Sequence, residues 1–266
     1  MSAKPEGEGW PVGPGRYVFD AIDSTNAEAV RRAPSLTGSA WFMAAEQTGG
    51  RGRRGRPWSS PRGNLYATLL LQPKEPADQV ALRSFAAALA LREACVALTG
   101  LPEAFTLKWP NDVLLNGGKL AGILLESAGG AGRVHHLAIG IGVNLVAAPT
   151  RDQVEPGATV PVSLWAETGL RILPETFLTQ LAICYDRWET IFQAEGFAPL
   201  RKAWLSQAAR IGEPLRVRTG TAVFDGVFET IDEAGALVLA TAKGRMTIAA
   251  ADIYFQTGGA GDASGD

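Results

Sequence analysis

Residues 49–64 read Gly-Gly-Arg-Gly-Arg-Arg-Gly-Arg-Pro-Trp-Ser-Ser-Pro-Arg-Gly-Asn, and the segments on either side of them restrict what the chain can become. Ala40 to Ala45 and Leu65 to Leu71 are apolar runs of strand length bounded by turn residues, so the basic stretch is a loop anchored at both ends by buried strands. Within it Arg51, Arg53, Arg54 and Arg56 alternate with glycines. Glycines let a backbone wrap closely around an anion while guanidinium groups approach from several sides, which is a composition suited to phosphate.

The net charge of the 266-residue chain is −2, so this loop is a local concentration of positive charge on a near-neutral molecule, and a general nucleic-acid binder is disfavoured. With 46% hydrophobic and 20% charged residues, the chain reads as globular and long enough for one domain of ordinary size and a smaller one. Residues 1–15 are rich in Gly, Pro and Glu and carry no apolar segment, so a disordered tail is expected there, with neither a secretory signal nor a membrane span and a cytoplasmic location. Residues 16–208 are expected to form the main domain and 209–256 a small one; residues 257–266 read as a disordered Gly-rich acidic tail. Cys95 and Cys184, far apart in apolar helical patterns, read as buried reduced thiols.

Taken in order, residues 16–22 predict a short strand leading to Asp23-Ser24-Thr25-Asn26-Ala27-Glu28. Thr25 and Glu28 have capping-box spacing and predict a helix of about two turns. Ser24-Thr25-Asn26 is then either a helix cap alone or the polar edge of a ligand site. Residues 81–98 predict a long scaffold helix ended by Gly100 and Pro102. Asn116-Gly117-Gly118 is a hairpin turn, which places Asp112 and Lys119 near each other at its two ends. Each is either an ordinary turn residue or part of a pocket, and an ammonium opening an apolar strand favours an anionic partner. Residues 137–145 read as a core strand whose glycines mark close packing, with Asn144 at its end. His135 and His136 read as edge or surface residues, and no Cys/His cluster has metal-ligand spacing. Residues 163–166 start a short helix, 174–195 a long amphipathic one and 197–205 a last one. From Ile211 the period changes to short alternating strands, which predicts a small barrel of the SH3 sort. The fold class is thus α+β: a mixed sheet flanked by helices, followed by the barrel.

Five ordered blocks resemble the biotin protein ligases, also called biotin-[acetyl-CoA-carboxylase] ligases. They are Asp-Ser-Thr-Asn (23–26), Glu-Gln-Thr-Gly-Gly-Arg-Gly-Arg-Arg-Gly-Arg-Pro-Trp (46–58), Lys-Trp-Pro-Asn-Asp (108–112), Gly-Lys-Leu-Ala-Gly-Ile-Leu-Leu-Glu (118–126) and Gly-Ile-Gly-Val-Asn-Leu (140–145). The resemblance spans about Val18 to Phe255 and implies the class II synthetase-like biotin/lipoate ligase fold. It also implies a two-step reaction, in which biotin and MgATP give biotinyl-5'-AMP and pyrophosphate, and a lysine of a biotin carboxyl carrier protein then takes the biotinyl group. By similarity Lys119, Arg53 and Asp112 would be catalytic. Ser24, Thr25, Asn26, Gln47, Gly50, Arg51, Gly52, Arg53, Lys119 and Gly122 would bind biotin, and Arg51, Arg53, Arg56, Trp58, Asn111, Lys119 and Asn144 the nucleotide, with Trp58 stacked on adenine. Magnesium would arrive with ATP and no resident metal is implied.

Two departures from the family stand out. Some relatives carry a helix-turn-helix domain before the catalytic one, whereas about fifteen non-periodic residues precede the first strand here, so no repressor activity is expected. Gly49 stands where many relatives have alanine. The lipoate protein ligases share the acyl-adenylate logic but lack, as a family, the full arginine block together with Lys-Trp-Pro-Asn-Asp. A nucleic-acid module using the arginine loop and the barrel is the rival from another class. The expected partners are a carrier protein but neither nucleic acid nor membrane, with the ligase itself a monomer or homodimer.

Overall fold

The computed structural model describes residues 9–130, 133–220, 222–249 and 251–255. Strand β1 (Gly15–Ile22) leads into helix α1 (Thr25–Arg32) and back to β2 (Ala40–Gln47), which lies parallel to it. With β3 (Leu65–Leu71), β4 (Phe105–Lys108), β5 (Asp112–Leu115), β6 (Gly118–Gly130) and β7 (Arg133–Val143) these strands form a seven-stranded mixed sheet in the order β1-β2-β3-β7-β6-β5-β4. All its other pairings are antiparallel.

The continuous apolar runs of β2 and β3 follow from burial on both faces. Trp41, Met43 and Leu69 face a core built with α3 (Arg83–Thr99) and α5 (Pro174–Glu195), whereas Phe42, Ala44 and Leu70 form a second, smaller core with α1. Helix α1 is only eight residues long. Farther along its face of the sheet, Gly142, Gly122 and Asp112 stand in register on β7, β6 and β5 where apolar side chains would otherwise be.

Helix α2 (Ala77–Ala81) and α3 replace the single helix expected over residues 81–98, with the break at Leu82. Ten residues of α3 are buried, more than one stripe would bury, because α3 also packs against α5 and α6 (Phe197–Ser206). The cap of α1 differs from the expectation too. Ser24, not Thr25, is the N-cap residue and accepts from the Ala27 amide at 3.4 Å, while Glu28 pairs with Arg31 and Arg32 instead of reaching back. The expected tail also begins to order sooner: Trp10 is 7% exposed, belongs to the main core and donates from its indole to Pro14 O at 2.9 Å. Residues 257–266 lie outside the described residues.

Beyond the short α4 (Leu164–Thr168), α5 and α6, strands β8 (Pro214–Arg218), β9 (Val223–Ile231), β10 (Leu237–Thr241), β11 (Gly244–Ile248) and β12 (Asp252–Phe255) form an antiparallel sheet in the order β11-β10-β9-β8-β12. The expected small β unit is present and has five strands among the described residues. Among the described residues no ladder joins β11 to β12, and the small antiparallel sheet is consistent with the SH3-like unit expected. Its Leu215, Val217, Phe228 and Leu237 share one core with α3 and α5, and the Trp109 indole donates to Gly235 O at 2.9 Å across the junction. Among the described residues no helix is long and apolar enough to cross a membrane.

Arg83 is a charge buried within the scaffold: it is 2% exposed and donates to Glu189 at 2.7 Å and Glu75 at 2.8 Å. Removing one partner of a buried pair strands the other, so Arg83→Ala should cost about 3–5 kcal/mol. Arg216→Ala, which breaks a pair with Asp225 in which both side chains are more than half exposed, should cost far less. Comparable shifts of the two urea midpoints would contradict this reading of the core.

Candidate active site

The site is laid out along one face of β7. Residues 140, 142 and 144 would share that face by strand alternation, and each has a distinct neighbour. A Cβ on Gly140 would stand 2.3 Å from Asn26 Oδ1, and one on Gly142 2.6 Å from Trp58 Nε1. Both positions therefore require glycine for close approach, not for backbone conformation. Asn144, buried at the end of the strand, donates from Nδ2 to Val162 O at 3.2 Å. Across the sheet Gly142 is in register with Gly122, Gly122 with Asp112 and Asp112 with Lys108. Trp58 lies over the two glycines of this row.

Lys119 reaches the same face through an irregularity. Val113 pairs with Ala121 but Leu114 pairs with Lys119, so β6 carries an extra residue at this point. Counting back from Gly122 by strict alternation would turn Lys119 toward the core with Ala121. The bulge instead leaves Leu120 and Ala121 both in the core and turns Lys119 outward. Its Nζ lies 2.7 Å from Asp112 Oδ1 and 5.6 Å from the centre of the Trp58 ring. The contact with Asp112 is a close ion pair, not an aligned hydrogen bond.

At the start of α1 a chain of polar groups crosses the sheet. Gln47 Oε1 accepts from the Thr25 amide at 2.8 Å and from its hydroxyl at 3.1 Å, and Gln47 Nε2 donates to Ser60 Oγ at 3.0 Å. Thr68, fully buried in β3, donates to Asn26 Oδ1 at 2.6 Å and lies 2.8 Å from Thr25 Oγ1. Asn26 Nδ2 donates in turn to Glu126 Oε2 at 2.7 Å. Just outside, Arg31 holds the Asp23 carboxyl down to about 2.

The arginine loop folds as a narrow hairpin over this face. Gly52 N donates to Arg56 O at 2.7 Å and Trp58 N to Gly50 O at 2.9 Å, with Arg51 and Pro57 bridged. A single 3₁₀ turn, Arg53–Gly55, forms the tip, where Arg54 has φ 56°. Arg51 pairs with Glu126 at 3.3 Å and Arg56 with Glu155 at 3.2 Å, while Arg53 donates to Ala251 O of the C-terminal unit at 3.0 Å.

Together these parts enclose a cavity of about 810 Å³, within the range of small-molecule sites. Of the residues for which the sequence suggested ligand contact, all but Arg54, which is exposed at the loop tip, line it. Asn111 does so while its side chain is engaged with the sheet, donating to Ile123 O at 2.6 Å. Five lining cations (Arg51, Arg53, Arg56, Lys108, Lys119) against Asp112 and Glu155 make the cavity fit for a polyanion, with hydrogen-bonding groups at its Asn26 end. Not anticipated from the sequence as site residues were Lys108, a buried lysine donating to Thr159 Oγ1 at 2.7 Å, and Thr68, Glu126 and Glu155. A polar threonine inside Leu65 to Leu71 and a carboxylate ending the apolar run 120–125 were the available signals. Among the described residues no three His, Cys, Asp or Glu side chains could hold a metal.

Gly142→Ala tests whether Trp58 anchors the loop. The added methyl displaces the indole, so tryptic cleavage within residues 51–56 should accelerate several-fold, because local opening becomes easier. Unchanged cleavage would show that the hairpin holds without Trp58.

Residues 18–144 match the Biotin/lipoate A/B protein ligase family, and residues 211–256 the Biotin protein ligase C terminal domain. The chain is 54% identical over 233 residues to the biotin--[acetyl-CoA-carboxylase] ligase of Paracoccus denitrificans, covering 88% of this chain and 97% of that one. It is 31% identical to the bifunctional ligase/repressor BirA of Escherichia coli, over 84% of this chain and 68% of that one. Among solved structures it is similar to the biotin protein ligase from Aquifex aeolicus in complex with biotin and ATP. That match has a TM-score of 0.76 and 26% identity, and covers 90% of this chain and 97% of that one. The length and identity of the Paracoccus match, and the presence of both family segments in order, show that this chain belongs to the biotin protein ligases of the biotin/lipoate A/B protein ligase family.

Proposed function

We propose that this cavity activates biotin with MgATP and passes the biotinyl group to a lysine of a biotin carboxyl carrier protein. The observation that carries the reading is the position of Lys119: beside Asp112 and Trp58, in one cavity with Arg51, Arg53 and Arg56, and between a polar end at Asn26 and a second end at Asn144. Lipoate lacks a ureido ring, and the row of donors and acceptors at Ser24–Asn26 favours biotin over it.

At the polar end, Ser24 has a hydroxyl proton, Gln47 a second N–H beyond the one given to Ser60, and Asn26 Oδ1 a second lone pair. These groups, with Thr25, complement a ureido carbonyl flanked by two N–H groups. The acyl chain then runs along Gly122 and Trp58, with Gly50 and Gly52 in the loop above. Trp58 is the flat apolar wall of the adenylate, and Asn111 and Asn144 stand in the nucleotide part.

In the first step a carboxylate oxygen of biotin attacks the α-phosphorus, the bond to the β-phosphate breaks, and pyrophosphate leaves. Anion meets anion, so fixed positive charge is the main catalytic requirement, and Lys119, Arg51 and Arg53 supply it at the α-phosphate. Arg56 extends it toward the leaving group. Magnesium enters with the triphosphate; a pocket with Asp112 and Glu155 as its lining carboxylates fits an ion that keeps phosphate and water oxygens for most of its shell. The loop covers the adenylate and keeps water from it.

In the second step the carrier's lysine nitrogen attacks the biotinyl carbonyl, the bond to AMP breaks, and the amine's proton must go elsewhere. A free lysine has a pKa of about 10.4, so a base is required. Asp112 Oδ1, which accepts no aligned hydrogen bond among the described residues, takes that proton.

Biotin-dependent exchange of labelled pyrophosphate into ATP tests the reading. Exchange should occur with biotin and not lipoate, and Lys119→Ala should reduce it by about a hundredfold or more. Exchange driven by lipoate would overturn the substrate, and none with either would overturn the reaction. In a single turnover from preformed biotinyl-AMP, Asp112→Asn should slow transfer by roughly a hundredfold or more. Unchanged transfer with impaired exchange would place Asp112 with MgATP instead.

A further inference from the structure

Glu126 closes the apolar stretch of β6 and has no place in the chemistry above, yet it touches both halves of the site. Its Oε2 accepts from Asn26 Nδ2 at 2.7 Å and its Oε1 lies 3.3 Å from Arg51 Nη2. We infer that Glu126 is a positioning residue for this reaction, which sets the donor and acceptor sense of Asn26 toward biotin and the reach of Arg51 toward the nucleotide through one carboxylate. The inference rests on the biotin ligase reading and deepens it.

Hydrogen-bond sense decides what residue 126 must be. Both neighbours of Glu126 present donors, so the group between them must accept on both sides, and among ordinary side chains only an ionised carboxylate offers two acceptor oxygens and no donor. On its far side Asn26 is held by Thr68, whose buried hydroxyl lies 2.6 Å from Oδ1. Glu126 taking the N–H thereby leaves Oδ1 to Thr68 and to the ligand. Gly140 gives the Asn26 amide its seat, since a Cβ there would stand 2.3 Å from Oδ1, so the side chain lies close against the β7 backbone on that side. The amide can therefore respond to a changed neighbour mainly by flipping about its own axis, which would exchange acceptor for donor where the ureido N–H is read.

Glu126→Gln keeps the size and removes one acceptor. The glutamine N–H₂ must then face either Arg51, and push it from the cavity, or Asn26, and flip it. The structure tolerates the change because Glu126 is about one-third exposed and no buried partner is left charged. Its effects should pass through the two neighbours, and a double-mutant comparison separates that from simple loosening.

The experiment is pyrophosphate exchange, with KM for biotin and for ATP measured in Glu126→Gln, Asn26→Ala, Arg51→Ala and the two double variants, alongside the thermal midpoint of each. Glu126→Gln should raise both KM values by about tenfold, the scale of one charge-assisted hydrogen bond, with the midpoint nearly unchanged. In the Asn26→Ala background its effect on biotin KM should shrink to less than about twofold, and in the Arg51→Ala background its effect on ATP KM likewise. Full additivity in both backgrounds, a loss tracking the thermal midpoint, or KM values unchanged in Glu126→Gln would overturn the assignment. Absence of exchange in the parent protein would instead overturn the ligase reading on which it rests.

Discussion

The Lys119–Asp112 contact is the interaction around which the site is arranged. A half-buried ammonium and carboxylate 2.7 Å apart stabilise each other as a pair, but either alone would be costly on a sheet face otherwise used for packing. Strand alternation by itself would keep them apart, and the extra residue of β6 opposite Leu114 brings them together. The row of Asp112 also carries Gly122 and Gly142, the glycines that admit Trp58, so the carboxylate and the indole wall beside it are set by one rung of hydrogen-bonded backbone. That rung belongs to a sheet whose other face is sealed by α3 and α5, which makes it a rigid base for chemistry that depends on charges held in place.

The arginine loop shows how a concentration of positive charge is kept on a near-neutral protein. Arg51 rests on Glu126, Arg56 on Glu155, and Arg53 on a backbone carbonyl of the C-terminal unit. Arg51 and Arg56 thus rest on partly solvated partners, which hold the loop in order without locking it. Because Arg53 reaches β12's neighbour Ala251 and Glu155 also pairs with Arg218 of β8, the small sheet is mechanically part of the site. Its shared core with α3 explains why it can serve as a fixed anchor and not as a mobile appendage.

Much of this was legible in the chain itself. The loop, the two flanking strands, the Asn116-Gly117 hairpin and the helix Pro174–Glu195 follow from local composition and periodicity, because turn residues and apolar repeats act over a few positions. The glycines at 140 and 142 announced that something packs close, without saying what. The errors share a cause as well. Thr25 looked like the cap because spacing favours it, but Gln47, twenty-two positions away, and Thr68 claim its hydroxyl, and Ser24 caps instead. Trp10 looked like part of a tail because one tryptophan has no periodicity, and only the core surface shows that it has a seat.

The sequence by itself determined which residue types are available and in what local geometry: a loop of arginines on glycine hinges, a polar triplet before a short helix, a lysine after a tight turn. Tertiary structure alone decided that these converge, since convergence requires the strand order β3-β7-β6-β5 to lay Thr68, Gly140, Gly142, Gly122 and Asp112 side by side. It also decided the direction of Lys119, because a bulge is a mismatch between two strands and has no signature in either one read alone.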